Sequence, residues 1–350
     1  MLLVGLSVSA CGVPALVDQD VSFLVPLDQA RAFFPAARAM PRSLFDRLQH
    51  PLTVVDEPDA LYGALSTVAV RLDACFREGT DASVACRPQV RLVLQPVFDS
   101  AEGVTTRDAA VHLFFSVTEQ EVVGAVKALA ALRTKRGVKV HEGLEAAHPG
   151  FGDAAWVSGV RDVLAPLLTS ERLVRATEMS VHASNQAWIF SGVEVSGDAV
   201  TDIVIPTLSP ERDDHVTSTG GRDAITLTLG PAPVAEPALV TVLEAEVRAA
   251  ASASQLSEAV AALTRIEDPA SHNPGTIDCA SCHVVATARK FLLRDAPGAA
   301  TDIGFVPSDA YADSRALRAF GYFFTAPAIS PRVQRETRVV RADFSLRLEP

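Results

Sequence analysis

A chain of 350 residues with 48% hydrophobic and 21% charged residues has the balance of a globular protein, and its length suits two hydrophobic cores better than one. The net charge of −11 and pI near 5.2 argue against nucleic acid or an anionic lipid surface as the partner. With only five cysteines and eight histidines, any cluster of them carries weight.

The chain opens with an apolar run, Leu2 to Ala10, that ends in small residues before Cys11. Val8-Ser9-Ala10-Cys11 has the order aliphatic, small, Ala, Cys and resembles the lipobox of bacterial lipoproteins. The resemblance implies that residues 1–10 are a signal peptide removed on export and that Cys11 carries lipid at the mature N-terminus. The run departs from that family in lacking a preceding Lys or Arg and in its shortness, so a true start further upstream or an ordinary apolar strand are the alternatives. No other stretch approaches the roughly 18 apolar residues of a membrane span. Gly12, standing where an aspartate would retain a lipoprotein in the inner membrane, favours the outer membrane.

From Val17 to about Leu229 the periodicity is mainly that of strands. Leu52 to Val55, Ser66 to Cys75 and Gln89 to Phe98 are β-branched or aliphatic runs bounded by turn formers, and His112 to Val117 is another. Thr118-Glu119-Gln120-Glu121 is a capping box, after which Val122, Val126 and Leu129 recur at helical spacing. A second helix is predicted from Asp153 to about Leu168. Strands return at Thr177 to Ala183, Ala187 to Val195, Ile203 to Thr207 and Ala224 to Leu229. This order predicts an α+β fold: an antiparallel-sheet N-terminal domain with two helices over residues 11–229, followed by a smaller, mostly helical C-terminal domain. His141, Glu142, Glu145 and His148 read as a solvated loop in preference to a metal site.

The stretch 230–237, with three prolines, is the predicted linker, and residues 238–350 form the second domain. Helices are expected from Ala238 to Ala251, from the Ser252 cap to Ile266, beyond His283 to about Leu293, and from Ala310 to Phe320. Between them lies Cys279-Ala280-Ser281-Cys282-His283, a Cys-x-x-Cys-His frame. One helical turn presents two thiols to a porphyrin's vinyl groups and an imidazole to its iron. Three other readings fit the same residues: a redox dithiol, a zinc site with His272 as a further ligand, and a local disulfide beside a surface histidine.

The frame resembles the attachment motif of c-type cytochromes over about six residues. That resemblance implies one covalent haem c, thioether-bound at Cys279 and Cys282, with His283 as the proximal iron ligand. The family's usual distal methionine is missing, because the methionines are Met1, Met40 and Met179 and none follows His283. His272, eleven residues before His283 and separated from it by the turn-forming Asn273-Pro274-Gly275, is the nearest substitute. Its bland alternative is a helix-end or water-facing side chain. Met179, His182, Lys290, Tyr311, Tyr322 or an open position remain as rivals. Phe291, Phe320, Tyr322, Phe323 and Phe324 could wall a porphyrin or simply be core.

With lipid on Cys11 and haem on Cys279 and Cys282, the remaining Cys75 and Cys86 face each other across a short polar loop as a candidate disulfide, consistent with an oxidising compartment. The composite expectation is an exported, lipid-anchored monohaem protein of the cell envelope that passes single electrons to a redox partner protein. A binding, scaffold or sensor lipoprotein is the alternative, and no constellation of catalytic residues points to an enzyme.

Overall fold

The computed structural model describes residues 14–48, 58–74, 87–181, 188–203, 216–218, 225–227, 249–272, 285, 289, 292–293, 296–299 and 320–348. The expected strand Leu52 to Val55, the Cys75–Cys86 pairing, the 230–237 linker and most of the expected helices 238–251 and 310–320 lie outside these residues. What is described is an α+β fold on an antiparallel sheet.

The described residues begin with four short helices rather than strands: α1 (Asp18–Val21), α2 (Leu27–Phe33), α3 (Ala36–Ala39) and α4 (Arg42–Phe45), with β1 (Ser22–Leu24) between the first two. Pro26, Pro35 and Pro41 stand at the N-caps of α2, α3 and α4, where a missing N–H costs nothing, and each restarts the chain as a helical turn. After α5 (Pro58–Ala64) come β2 (Leu65–Asp73), β3 (Gln89–Ser100), β4 (Gly103–Thr106) and β5 (Ala109–Ser116). Helices α6 (Glu119–Arg136) and α7 (Ala154–Leu164) follow, then β6 (Leu173–Val181), β7 (Trp188–Ser196) and β8 (Ala199–Asp202). Among the described residues the sheet has eight strands in the order β1-β2-β3-β5-β6-β7-β8, with β4 paired to the far end of β3. A separate ribbon pairs β9 (Val216–Ser218) with β10 (Ile225–Leu227).

The capping box opens α6 as its spacing predicts: the Glu121 N–H donates to Thr118 Oγ1 at 3.2 Å and the Thr118 N–H to Glu121 Oε2 at 2.8 Å. Gly137, at φ 64°, closes it in the left-handed conformation that a side chain would resist. Asp153 caps α7 through the Ala155 N–H at 2.9 Å.

Because paired residues share a face, the register writes two rows across the sheet. Phe23, Val70, Leu92, Leu113, Ala176 and Val193 form an apolar row, each paired to the next. The neighbouring row, on the opposite face, is Ser22, Arg71, Arg91, Phe114, Arg175 and Glu194. Alternation predicts that such a row meets water, yet Arg71 and Arg91 are buried.

What buries them is the end of the chain. The described residues beyond 249 comprise α8 (Ala253–Glu267), the hairpin of β11 (Phe320–Phe323) and β12 (Ala326–Ile329), and α9 (Pro331–Leu348), besides shorter helical pieces. Val260, Leu263, Ile266, Phe320, Tyr322, Val333 and Phe344 join the same apolar cluster as the sheet. On β3, Gln95 holds the hairpin in the manner of a strand: its Oε1 accepts the Tyr322 N–H at 2.7 Å and its Nε2 donates to the Tyr322 carbonyl at 2.9 Å. Gly321 makes this approach possible, since a Cβ there would lie 2.6 Å from Gln95 Oε1. Gly321→Ala is therefore expected to destabilise the protein by about 1 to 3 kcal/mol, as overpacking does. A urea midpoint equal to that of the parent would show that the hairpin does not rest on Gln95.

Candidate functional site

Cys279, Cys282 and His283 lie outside the described residues, as do Cys11, Cys75, Cys86, His182, Lys290, Phe291 and Tyr311. The structure does describe what brackets the motif on both sides. Before it, Ser252 and Gln255 close a capping box that starts α8, with the Ser252 N–H donating to Gln255 Oε1 at 2.8 Å. After Glu267 the chain turns on Asp268, whose Oδ1 accepts the Ala270 N–H at 2.9 Å and whose carbonyl accepts the His272 N–H at 3.0 Å. His272 is buried, and its carbonyl takes a hydrogen bond from Arg332 Nη2 at 2.5 Å. It does not face water.

Beyond the motif, Val285, Arg289 and Leu292 recur at the spacing of one helix face, and all three are buried. Arg289 Nε and Glu267 Oε1 form a buried ion pair at 2.5 Å that ties this face to the end of α8. Burial raises the Glu267 pKa, and attraction from Arg289, Arg335 and Arg332 opposes the rise. Residues 273–284 thus leave from one buried anchor and return to another.

A buried charge network continues from this point into the sheet. Arg332 Nη1 donates to the Ile266 carbonyl, and Arg332 Nη2 lies 2.8 Å from Glu336 Oε1. Glu336 Oε2 meets Arg71 Nη1 at 2.5 Å, Arg71 Nε meets Asp73 Oδ1 at 2.7 Å, and Arg91 Nη2 is 3.8 Å from Asp73 Oδ2. Burial would push the Glu336 carboxyl up, but Arg332, Arg71 and Arg91 outweigh it and hold the group at about 2. Next in the row, the Phe114 ring has the Arg91 guanidinium at 4.9 Å and that of Arg175 at 5.7 Å. Arg175 pairs with Glu194 at 2.5 Å. A 340 Å³ pocket opens over this end of the row, lined by Arg87, Gln89, Phe114, Ser116, Arg175 and Glu194 among others. The sequence reading missed it, because charged residues alternating along a strand carry the same signal whether they line a pocket or meet bulk water.

The proposed porphyrin walls divide. Phe320 and Tyr322 are buried in the common core, while Phe323 is half-buried and Phe324 exposed at the hairpin turn. Tyr322 is removed as an iron ligand, because its hydroxyl donates to the Val25 carbonyl at 2.9 Å and burial raises its pKa. Met179 is buried in β6, on the face that carries Phe114 and Arg175. His148 is not in a solvated loop: it is buried, stacked on Trp156 at a centroid distance of 4.1 Å, and accepts the Gly150 N–H on Nδ1 at 2.9 Å. Among the described residues no three or more His, Cys, Asp or Glu side chains gather as a metal site. No described helix is long and apolar enough to cross a membrane.

No protein-family model matches the chain, and neither a curated protein nor a solved structure does.

Proposed function

We propose that this chain is an exported, lipid-anchored monohaem c-type protein of the cell envelope, its haem carried by the C-terminal part and its role the transfer of single electrons to a protein partner. The observation that carries the reading is the Cys-x-x-Cys-His frame of Cys279, Cys282 and His283, flanked by buried His272 on one side and buried Val285, Arg289 and Leu292 on the other.

The donor set fits the group. Cys279 and Cys282 would hold the porphyrin covalently, His283 would supply the proximal nitrogen, and His272 is a buried imidazole close in sequence for the distal position. Bound haem supplies a one-electron couple, and two nitrogen ligands set a lower potential than a nitrogen and a thioether. The chain's own part is to orient and to neutralise. Arg332 fixes the His272 carbonyl, while Arg289 and Arg335, set near Glu267, bring positive charge to the buried ends that bracket the motif, where a ring bearing two carboxylates would lie. The antiparallel pairing of Asp73 with Gln89 brings together the strand ends that lead to Cys75 and Cys86, the two residues of the proposed disulfide. Val8 to Cys11 supports the lipid anchor.

The full chain, expressed in a host with a c-type maturation system, is expected to show a Soret band and to retain haem after denaturation. Cys279→Ser with Cys282→Ser should abolish the retained haem, and His283→Ala should alter the spectrum of whatever haem remains. A correctly exported wild-type protein with no Soret band ends the reading. A five-coordinate iron that takes up carbon monoxide would replace electron transfer by sensing.

A further inference from the structure

The charge of −11 argues against an anionic lipid partner only if it is spread evenly, and around α1 it is not. We propose that the end of the molecule built from α1, the last turn of α6, Lys139 and the α9 residues Arg338 and Arg341 is a lipid-facing surface that lies on anionic headgroups. The proposal rests on the reading of Cys11 as the lipid attachment site.

Tether length comes first. Arg133 Nη2 donates to the Ala15 carbonyl at 2.9 Å, and the Val17 N–H donates to Asp20 Oδ2 at 2.9 Å. Arg133 also grips both oxygens of Asp20, at 2.8 and 3.0 Å, and residues 18–21 are buried. The chain is therefore pinned to α6 from Ala15 onward, four residues after Cys11. A fully extended chain covers at most about 3.6 Å per residue, so Arg133 Nη2 lies within roughly 17 Å of the backbone at Cys11. With acyl chains on Cys11 in the hydrocarbon layer, this end cannot leave the neighbourhood of the headgroups.

Charge comes second. From Arg133 to Lys139 the chain has four basic residues, Arg133, Lys135, Arg136 and Lys139, and no acid, and the last three are exposed. On the other side of α1, Arg341 pairs with Asp18 at 3.1 Å and Arg338 is exposed. Three acids at this end are each matched by a base, Asp18 by Arg341, Asp20 by Arg133 and Asp153 by Arg136 at 2.6 Å, so the positive face rests on exposed Lys135, Lys139 and Arg338. Glu142 and Glu145 follow in the next loop and are exposed. The helix dipole accounts for Lys135 and Arg136 in the last turn of α6, but not for Lys139 beyond the Gly137 cap, nor for Arg338 on another helix. Held this way, the basic end meets the anionic surface while the acidic remainder points away from it.

The chain has only four lysines, Lys127, Lys135, Lys139 and Lys290, which makes amine acylation read by mass spectrometry a direct test. The reference is Asp198→Lys, in the exposed turn between β7 and β8; β8 is six strands from β1, roughly 29 Å at sheet spacing. The full-length lipidated protein is compared in vesicles of phosphatidylethanolamine with phosphatidylglycerol, in phosphatidylcholine vesicles and in neutral detergent. On the anionic vesicles Lys135 and Lys139 should be acylated about fivefold more slowly than in detergent, with Lys at 198 unchanged. Protection should be weaker on phosphatidylcholine. Unprotected Lys135 and Lys139, equal protection at 198, or equal protection on both vesicle types overturns the proposal. A mature protein that washes off vesicles and carries no acyl mass at Cys11 overturns the lipid anchor instead.

Discussion

Glu336→Ala is expected to cost about 3 to 5 kcal/mol, a large part of the stability of an ordinary domain. The carboxylate sits between Arg71 and Arg332, all three side chains at most 4% exposed, with Arg91 close enough to act on it. Removing it leaves Arg71, Arg91 and Arg332 buried with Asp73 and, beside Arg332, Glu267 as the counter-charges among the described residues, too few to balance them. The same coupling predicts an acid limb. The folded pKa of about 2 lies below the ordinary 4.5, so this contribution is present above pH 4.5 and is lost as pH falls from 4.5 towards 2. Guanidinium or urea midpoints for the parent and Glu336→Ala decide the matter. A difference below about 1 kcal/mol would mean that α9 is not held by this network. Replacing Arg71 and Glu336 together by apolar residues should cost less than replacing Glu336 alone, since the cost lies chiefly in stranding a charge.

His148 is expected to make the protein acid-sensitive at a milder pH. Its ring is stacked on Trp156, meets Phe23 edge-on at 5.7 Å, and uses Nδ1 as an acceptor for the Gly150 N–H, a role that a protonated imidazole cannot fill. Burial first, and the Arg133 charge second, hold its pKa down to about 3. The unfolded chain therefore takes the proton first. Stability is complete above about pH 6.5 and falls by up to about 1.4 kcal/mol per pH unit as pH drops towards 3. His148→Phe keeps the apolar stack and removes the proton. Its unfolding midpoint should be flatter than the parent's between pH 6.5 and 4.5, a window above the one set by Glu336. Parallel curves for the two proteins would show that the buried ring is not held neutral.

Much of the local architecture was legible because it is local. The Thr118 to Glu121 box fixed the start of α6, Ser252 with Gln255 fixed α8, and the alternating runs placed β2, β3 and β5 within a few residues. Helix α9 escaped notice because its buried face carries Arg332, Glu336 and Thr337 beside Val333 and Phe344, so the apolar period that marks an amphipathic helix is broken by charge. The strand at Phe320 to Phe323 read as an aromatic cluster for want of its partner: β12 pairs with it through a turn at Phe324, whose φ of 56° no residue type announces.

For the candidate site the division is sharper. The sequence by itself determined the capping boxes and the alternation of the strands, and it carries the Cys-x-x-Cys-His frame of Cys279, Cys282 and His283 and the lipobox-like run before Cys11 on which the proposed function rests, since each depends on residues a few positions apart. Only the tertiary structure decided that Arg71 and Arg91 face Glu336 rather than water, that His272 is buried with its carbonyl on Arg332, and that α1 is pinned to α6 close behind Cys11. Those contacts join residues from 60 to 265 positions apart. Whether a charge is solvated or paired follows from which distant element covers it, and nothing in the residues beside it records that choice.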